Sequence, residues 1–518
     1  MTPKFENFSR RLIGMIINGE IRNRRQFQSN KIKLCKEFSL DTVPPNSEIL
    51  RYTESDEKKR VVPYLLKKPI RTMSGVAVIA VMTSPYPCPH GKCTYCPGGV
   101  DNSSPQSYTG KEPAARRASR NSFDPYKQVS ERILQLEAIG HITDKIDLIV
   151  MGGTFTSREE KYQTWFIKRC FDALNGCDSP DIDTAHKWNE TAKHRCVGIT
   201  IETRPDIFDD TQIEIALRLG VTRVEFGVQI LDDEILRLVG RGHGISEVIE
   251  ATKRCKDHGL GVCYHLMPGL PKSSPKHDLE CFKEVFNNDN FRPDMLKFYT
   301  TLVIAGTELY KIWNAGKYIP YNVEDAVTLL ADMKALVPDY VRIQRVQRDI
   351  PAPQIAAGIL KSNIRQLIHE KLKETGRKCR CIRCREVGHN NDPPDDLSSI
   401  KMHDLIYRAS NKEEHFINLS CCDQLIGYLR LRLDSQIWST IRELKVFGKS
   451  AEIGSYGENW QHQGFGKKLV AKAERITIES GRSRIRVISG IGARENYKAL
   501  GYSLDGVYMI KNLQQSRQ

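Results

Sequence analysis

The 518-residue chain lacks any apolar run long enough to span a bilayer: stretches such as VAVIAVM at 76–82 fall far short of the roughly 20 residues needed. That excludes a helical membrane protein. It also lacks an apolar leader, beginning MTPKFENFSRR, so a reducing cytoplasm is expected. There the 15 cysteines are free, buried or metal-bound rather than paired in disulfides. Acid is scarce: 63 Asp and Glu stand against 78 Lys and Arg, a formal charge of +15, which points to a polyanionic partner, nucleic acid first. A hydrophobic content of 40% is enough to give a core to each of about three folding units.

The most informative absence is a fourth cysteine beside Cys88, Cys93 and Cys96 in CPHGKCTYCPGG. Three thiolates without a fourth can hold three irons of a [4Fe-4S] cluster and leave one iron open to a small molecule. The competing readings are a disulfide pair, disfavoured by the compartment, and a closed zinc site, for which His90 is the only local fourth ligand. Gly98 and Gly99 suit close backbone approach to a cofactor.

Residues 1–70 read as a basic, mostly helical region, with Arg22, Arg24 and Arg25 around Phe27 suited to phosphate contacts plus base stacking. Residues 71–368 alternate strand and helix in some six units. That pattern predicts a parallel sheet curled into a partial or complete barrel, with the active site at the strand C-termini. Conspicuous residues fall there: Gly152 and Gly153 after KIDLIVM, Glu202 and Arg204 after VGITI, and Gln229 after VEFGV. MLKFYTTLVIAGT reads as one further strand. Residues 369–400 form a cysteine-rich linker in which Cys379, Cys381 and Cys384 have zinc-ligand spacing, with His389 or a distant group as the fourth ligand. Residues 401–518 read as antiparallel strands, a helix and further strands, a small α+β unit.

Several constellations keep two readings at this stage. Gly152 and Gly153 are either an ordinary turn or an approach to a cofactor. Glu202 and Arg204 are either a structural ion pair or contacts to a cofactor's ribose and carboxylate. Arg342, Arg345 and Arg348 in YVRIQRVQRDIP line either a solvated basic surface or an RNA-binding one. QHQGFG, from Gln461 to Gly466, opens a helix whose backbone N–H groups and positive dipole end suit a pyrophosphate; otherwise it is a glycine-rich turn. Tyr497 either serves that site or packs the helix.

The cysteine loop resembles that of the radical S-adenosylmethionine (SAM) superfamily, with one residue more between the first two cysteines than the common CxxxCxxC. QHQGFG resembles the GNAT pyrophosphate loop, matched by Gln461, Gly464 and Gly466. Together with QSYTG, DPY, MGGTF, ETRPD and RDIP, these segments resemble, along nearly the whole chain, the catalytic subunit of Elongator, the tRNA wobble-uridine acetyltransferases, in a stand-alone archaeal-like form. The resemblance implies a radical SAM partial (β/α)6 barrel followed by a GNAT domain. It implies an enzyme whose 5′-deoxyadenosyl radical activates the methyl group of acetyl-CoA, which adds to carbon 5 of the wobble uridine. Hydrolysis of the thioester leaves 5-carboxymethyluridine.

By the same resemblance the cluster falls on Cys88, Cys93 and Cys96, and SAM on Gly152, Gly153, Glu202, Arg204 and Gln229. Acetyl-CoA falls on Glu443, Leu444, Lys445, Val446, Gln461, Gly464, Phe465, Gly466, Lys467 and Tyr497. Lys145, a surface residue by sequence alone, joins them. The implied partner is the tRNA anticodon stem-loop, with zinc in the linker and no need for other subunits, whether as a stand-alone chain or a homodimer. Two rivals stand beside this reading: a histone-type lysine acetyltransferase with a structural iron–sulfur cluster, and an RNA-binding scaffold with degenerate sites.

Overall fold

In the computed structural model, the described residues are 3–54, 56–66, 72–389, 399–448, 460–461 and 463–513. The N-terminal helices Pro3–Ile17, Arg24–Glu37, Asn46–Leu50 and Lys58–Leu65 enclose their own small core, built on Phe8, Leu12, Phe27, Ile49 and Val61. Phe27 is fully buried there, so it stacks on no base; this corrects the sequence expectation. Arg22, Arg24 and Arg25 stay on the outside. Arg24 also ties the region together by donating to the Leu66 carbonyl at 2.9 Å.

The central sheet runs β1 (Ala77–Met82), β2 (Lys145–Met151), β3 (Arg195–Thr203), β4 (Arg223–Gln229), β5 (Gly261–Leu266), β6 (Met295–Phe298) and, after the short β7 (Val303–Ile304), β8 (Arg342–Arg345). The order β1-β2-β3-β4-β5-β6-β8 is parallel throughout, and the outer strands β1 and β8 do not pair. The result is an open, curled half-barrel of seven strands rather than a closed one. The segment expected as one strand divides into β6 and β7, and β7 pairs with β9 (Ile355–Ala357) outside the main sheet. Helix starts follow local chemistry: Asp124, Asp181, Asp209 and Ser274 each accept a backbone N–H of the first turn.

The C-terminal sheet orders β10 (Lys401–Ala409), β11 (Lys412–Cys421), β12 (Gln424–Leu433), β13 (Trp438–Val446), β14 (Arg484–Val487), β16 (Tyr508–Asn512) and β15 (Ser503–Asp505). β13 and β14 are parallel and pair only as far as Ile441 and Val487, so residues 442–446 run on without a strand on that side. A bulge at Arg442 accompanies this splay.

The two sheets meet through a buried ionic joint. Arg442 donates to both carboxylate oxygens of Asp294 at 3.0 and 2.6 Å and to Glu414 at 2.9 Å. Arg432 reaches Glu414 at 2.9 Å and Asp257 at 2.7 Å, while Arg430 donates to the Tyr340 carbonyl at 2.7 Å. Asp294 and Asp257 belong to the half-barrel and the arginines to the C-terminal sheet, so charge pairing fixes the domains against each other. Losing one partner of such a pair costs about 3–5 kcal/mol.

Candidate active site

At the C-terminal end of the half-barrel a cavity of about 410 Å³ is lined by all three loop cysteines together with Gly153, Thr154, Glu202, Arg204 and Gln229. β1 delivers the loop there because its alternate residues Ile79 and Val81 are wholly buried. Cys93 and Cys96 are buried and Cys88 half-buried. Cys88 Sγ lies 3.3 Å from Thr154 Oγ1, and His90 Nε2 lies 3.2 Å from Cys93 Sγ. Cys96 Sγ accepts the Ser107 N–H at 3.2 Å and donates to Gln106 Oε1 at 3.1 Å. Burial pushes the Cys88 and Cys96 thiols up; at Cys88 the guanidinium groups of Arg204 and Arg241 pull the other way. Thiolates there need a cationic partner, which is what cluster irons supply.

The two sets of three cysteines differ in how closely their sulfurs are gathered. Among the described residues, the groups whose ligand atoms all lie within 4.8 Å of one another are Cys379, Cys381 and Cys384, and Glu225, Cys263 and His265. A single zinc would draw thiolates to about 3.8 Å of one another, from its tetrahedral geometry and 2.3 Å bonds. Cys88, Cys93 and Cys96 are not gathered in that way.

The SAM-directed residues separate. Arg204 pairs with Asp206 at 2.9 and 2.7 Å, not with Glu202, and its Nη1 is buried without a partner, suited to a ligand carboxylate. Glu202 accepts from Tyr108 OH at 2.7 Å. Gln229 holds a left-handed φ of 73° at the end of β4, with Oε1 buried and unpartnered. Gly153 lines the cavity, whereas Gly152 does not. A Cβ on Gly152 would stand 2.1 Å from Thr83 Oγ1, so that glycine is required by packing against Thr83 at the end of β1.

At the opposite, N-terminal end, β13 closes the half-barrel. Arg223 of β4 pairs with Asp147 of β2 and lies 3.9 Å from Glu443. Lys145, the first residue of β2, donates to Gln461 Oε1 at 2.8 Å, and Gln461 Nε2 reaches the Val446 carbonyl at 3.3 Å. Burial lowers the Lys145 ammonium against the opposing pull of Asp144. Gly464 is left-handed (φ 79°) at the N-cap of helix Phe465–Glu479, and Gly466 faces Leu444. Lys467 is exposed on the first turn. Tyr497 is buried, edge-on to Tyr502 at 5.7 Å. The edge of β13 left open on the β14 side at 442–446 and the helix N-terminus together fit a pantetheine arm and a pyrophosphate.

The arginine run does not form one surface. Arg342 is buried and ion-paired with Glu386, which removes it from the RNA-facing set; Arg345 and Arg348 line the cavity, the latter bonded to the Ser107 carbonyl. Near the linker cysteines, His369 Nε2 lies 4.0 Å and Lys334 Nζ 3.7 Å from Cys384 Sγ. The His389 side chain lies outside the described residues. His369 was not foreseen, since it sits on a separate helix, Ile364–Glu374.

A half-barrel with an open three-cysteine site, joined to a sheet splayed for coenzyme A, defines a radical SAM protein fused to an acetyltransferase domain. The corresponding family models match: ELP3 N-terminal domain at 5–73, Radical SAM superfamily at 84–284, Radical_SAM C-terminal domain at 293–374 and Acetyltransferase (GNAT) family at 382–502. The chain is 50% identical to a tRNA uridine(34) acetyltransferase of Methanocaldococcus infernus, covering 91% of this chain and 92% of the relative. It is 42% identical to human Elongator complex protein 3, covering 93% and 92%. The solved Elp3 of M. infernus with an N-terminal deletion superposes with a TM-score of 0.76 at 45% identity, covering 85% of this chain and all of that one. The chain belongs to the family of the tRNA uridine(34) acetyltransferases and Elongator complex protein 3.

Proposed function

We propose that the protein is a tRNA uridine(34) acetyltransferase that installs a carboxymethyl group on carbon 5 of the wobble uridine. One observation carries the reading: the acetyltransferase sheet closes the half-barrel from below, with Lys145 bonded to Gln461 at 2.8 Å, while the three cysteines sit above. Two cofactor sites at the two ends of one barrel suit a reaction that neither performs alone.

Cys88, Cys93 and Cys96 would hold the [4Fe-4S] cluster, which when bound supplies the electron that cleaves SAM to a carbon radical. Arg204 Nη1 would take the SAM carboxylate and Gln229 a further polar group. Residues 443–446 would hold the pantetheine arm by backbone bonds, with Gly464, Phe465, Gly466 and Lys467 on the pyrophosphate. Lys145, its charge weakened by burial, would position the acetyl end through Gln461. The aromatic and arginine lining of the cavity suits a base turned out of a loop. Carbon 5 of uracil is a poor nucleophile, which is the reason for radical addition rather than acyl transfer. Arg22, Arg24, Arg25, Arg345 and Arg348 would contact phosphates. Cys379, Cys381 and Cys384 would hold zinc, with His369 as a reachable fourth ligand. We divide the chain accordingly at 1–70, 71–368, 369–400 and 401–518.

The test is anaerobic incubation of reconstituted protein with SAM, reductant, acetyl-CoA and tRNA. The expected result is 5′-deoxyadenosine together with 5-carboxymethyluridine, both dependent on tRNA. Stimulation by a lysine-bearing protein instead, with no modified nucleoside, overturns the reading.

A further inference from the structure

Along β4, Val224, Phe226 and Val228 point into the apolar core, while Glu225, Gly227 and Gln229 line the cavity. Glu225 is therefore a carboxylate on the inner wall of a barrel, 1% exposed at its side chain. Its Oε2 is fully engaged, ion-paired with Lys297 and 2.8 Å from His265 Nε2. Its Oε1 is buried with no partner. Buried acceptors are nearly always paired, and an ionised one left alone is costly. Burial opposes ionisation, but the Lys297 ammonium and His265 hold the carboxyl well below its usual range. A resident divalent cation on Glu225, Cys263 and His265 is disfavoured, because the Lys297 ammonium already occupies the cationic position.

The position is equally informative. Two residues below Glu225, Arg223 reaches Asp147 and approaches Glu443 of the acetyltransferase sheet; above it stand Gln229 and the cysteine loop. Glu225 thus lies between the two cofactor sites, where the acceptor base has to be. An acceptor oxygen beside an ammonium donor is the complement of an imide edge: N3–H faces Oε1, and the neighbouring carbonyl faces Lys297. Cytosine presents the reverse, an acceptor at N3 beside an amine, and would set its N3 lone pair against a carboxylate.

We propose that Glu225, supported by Lys297, reads the N3–H of the target uracil and is the residue that selects uridine over cytidine. The inference rests on the tRNA reading above. It deepens that reading by assigning the base contact to one oxygen atom.

The test measures binding of anticodon stem-loop RNAs carrying U34, C34 or N3-methyluridine-34 to the full chain loaded with SAM. The wild type should bind U34 roughly ten- to hundredfold more tightly than either alternative, the range for losing one buried charge-assisted hydrogen bond. Glu225→Gln should lose most of the gap between U34 and C34, since its amide can donate to cytosine N3. SAM binding, measured in parallel, should be unchanged. A gap retained in Glu225→Gln overturns the proposal, as does weakened SAM binding with the gap intact, which would assign Oε1 to the nucleoside of SAM. The wild-type comparison of uridine with its N3-methyl form needs no variant, and equal binding also overturns the proposal. A modified nucleoside still produced under equal binding would leave the tRNA reading standing; no product and no RNA binding would end both.

Discussion

The chain holds two loops of three cysteines, and they are built for opposite purposes. Cys379, Cys381 and Cys384 bring their sulfurs within 4.8 Å of one another, in a linker packed into the joint between the domains, where Ile382 N–H bonds the Val341 carbonyl at 2.9 Å and Arg380 grips Asp339 at 2.7 Å. Cys88, Cys93 and Cys96 line the cavity at the strand C-termini and are not gathered within that distance. The first arrangement suits one ion that staples structure; the second suits a cluster that meets a substrate. Spacing along the chain distinguishes them weakly. The surroundings distinguish them well, because one loop lies in a half-buried linker bonded to Asp339 and Val341 of the half-barrel, and the other follows a barrel strand and lines the cavity.

The largest test of that contrast is Cys96→Ala, expected to remove cluster iron and reduce 5′-deoxyadenosine formation to background while leaving the thermal midpoint and zinc content near wild type. Cys381→Ser should do the converse: iron retained on anaerobic reconstitution, zinc lost, and stability reduced by about 4 kcal/mol in denaturant titration. Loss of both metals in either variant would dissolve the distinction. Arg342→Met comes next. It leaves the Glu386 carboxylate buried without its guanidinium, so stability should fall by about 3 kcal/mol. The salt dependence of tRNA binding should not move, whereas Arg348→Met should lower that slope by about one phosphate contact.

How much of this was legible in the sequence depended on how local each signal is. The cluster loop and QHQGFG could be read because their ligands lie within a few residues of one another. The half-barrel was readable from the strand–helix alternation, although the break after Phe298 was not, since FYTTLV continues the apolar pattern. Lys145 could not be read from its surroundings, because its partner Gln461 lies in another domain. Arg342 was misread because a run of arginines looks like a surface until the distant Glu386 is placed against it. Phe27 misled for a similar reason: arginines flank it in sequence while the helix turns it inward. Glu225 left one trace: with Arg223, Gly227 and Gln229 it occupies the alternate positions of a strand whose other residues, Val224, Phe226 and Val228, are buried and apolar, which marks a wall facing a cavity.

The joint between the domains also has a part that neither cysteine loop touches, and it tests how much that part adds to the linker and the buried ion pairs in holding the domains together. His186, on helix Ile182–Asn189, is packed edge-on to Phe171 at 4.5 Å near Arg494 of the C-terminal domain, and its Nε2 has no partner. Burial, with a smaller contribution from the Arg494 charge, lowers its pKa to about 3. The unfolded chain takes up a proton near pH 6.5 while the folded one does not until about pH 3, so between those values the unfolded state binds more protons and stability falls as pH falls. At pH 5 the loss from this one group is about 2 kcal/mol relative to pH 8. His186→Gln should flatten that part of the acid-stability curve, measured as the thermal midpoint from pH 8 to pH 5. An unchanged slope would mean that the joint near Arg494 opens before His186 is titrated, leaving the cysteine linker and the Asp294–Arg442 pairs as the contacts that hold the acetyltransferase sheet under the barrel.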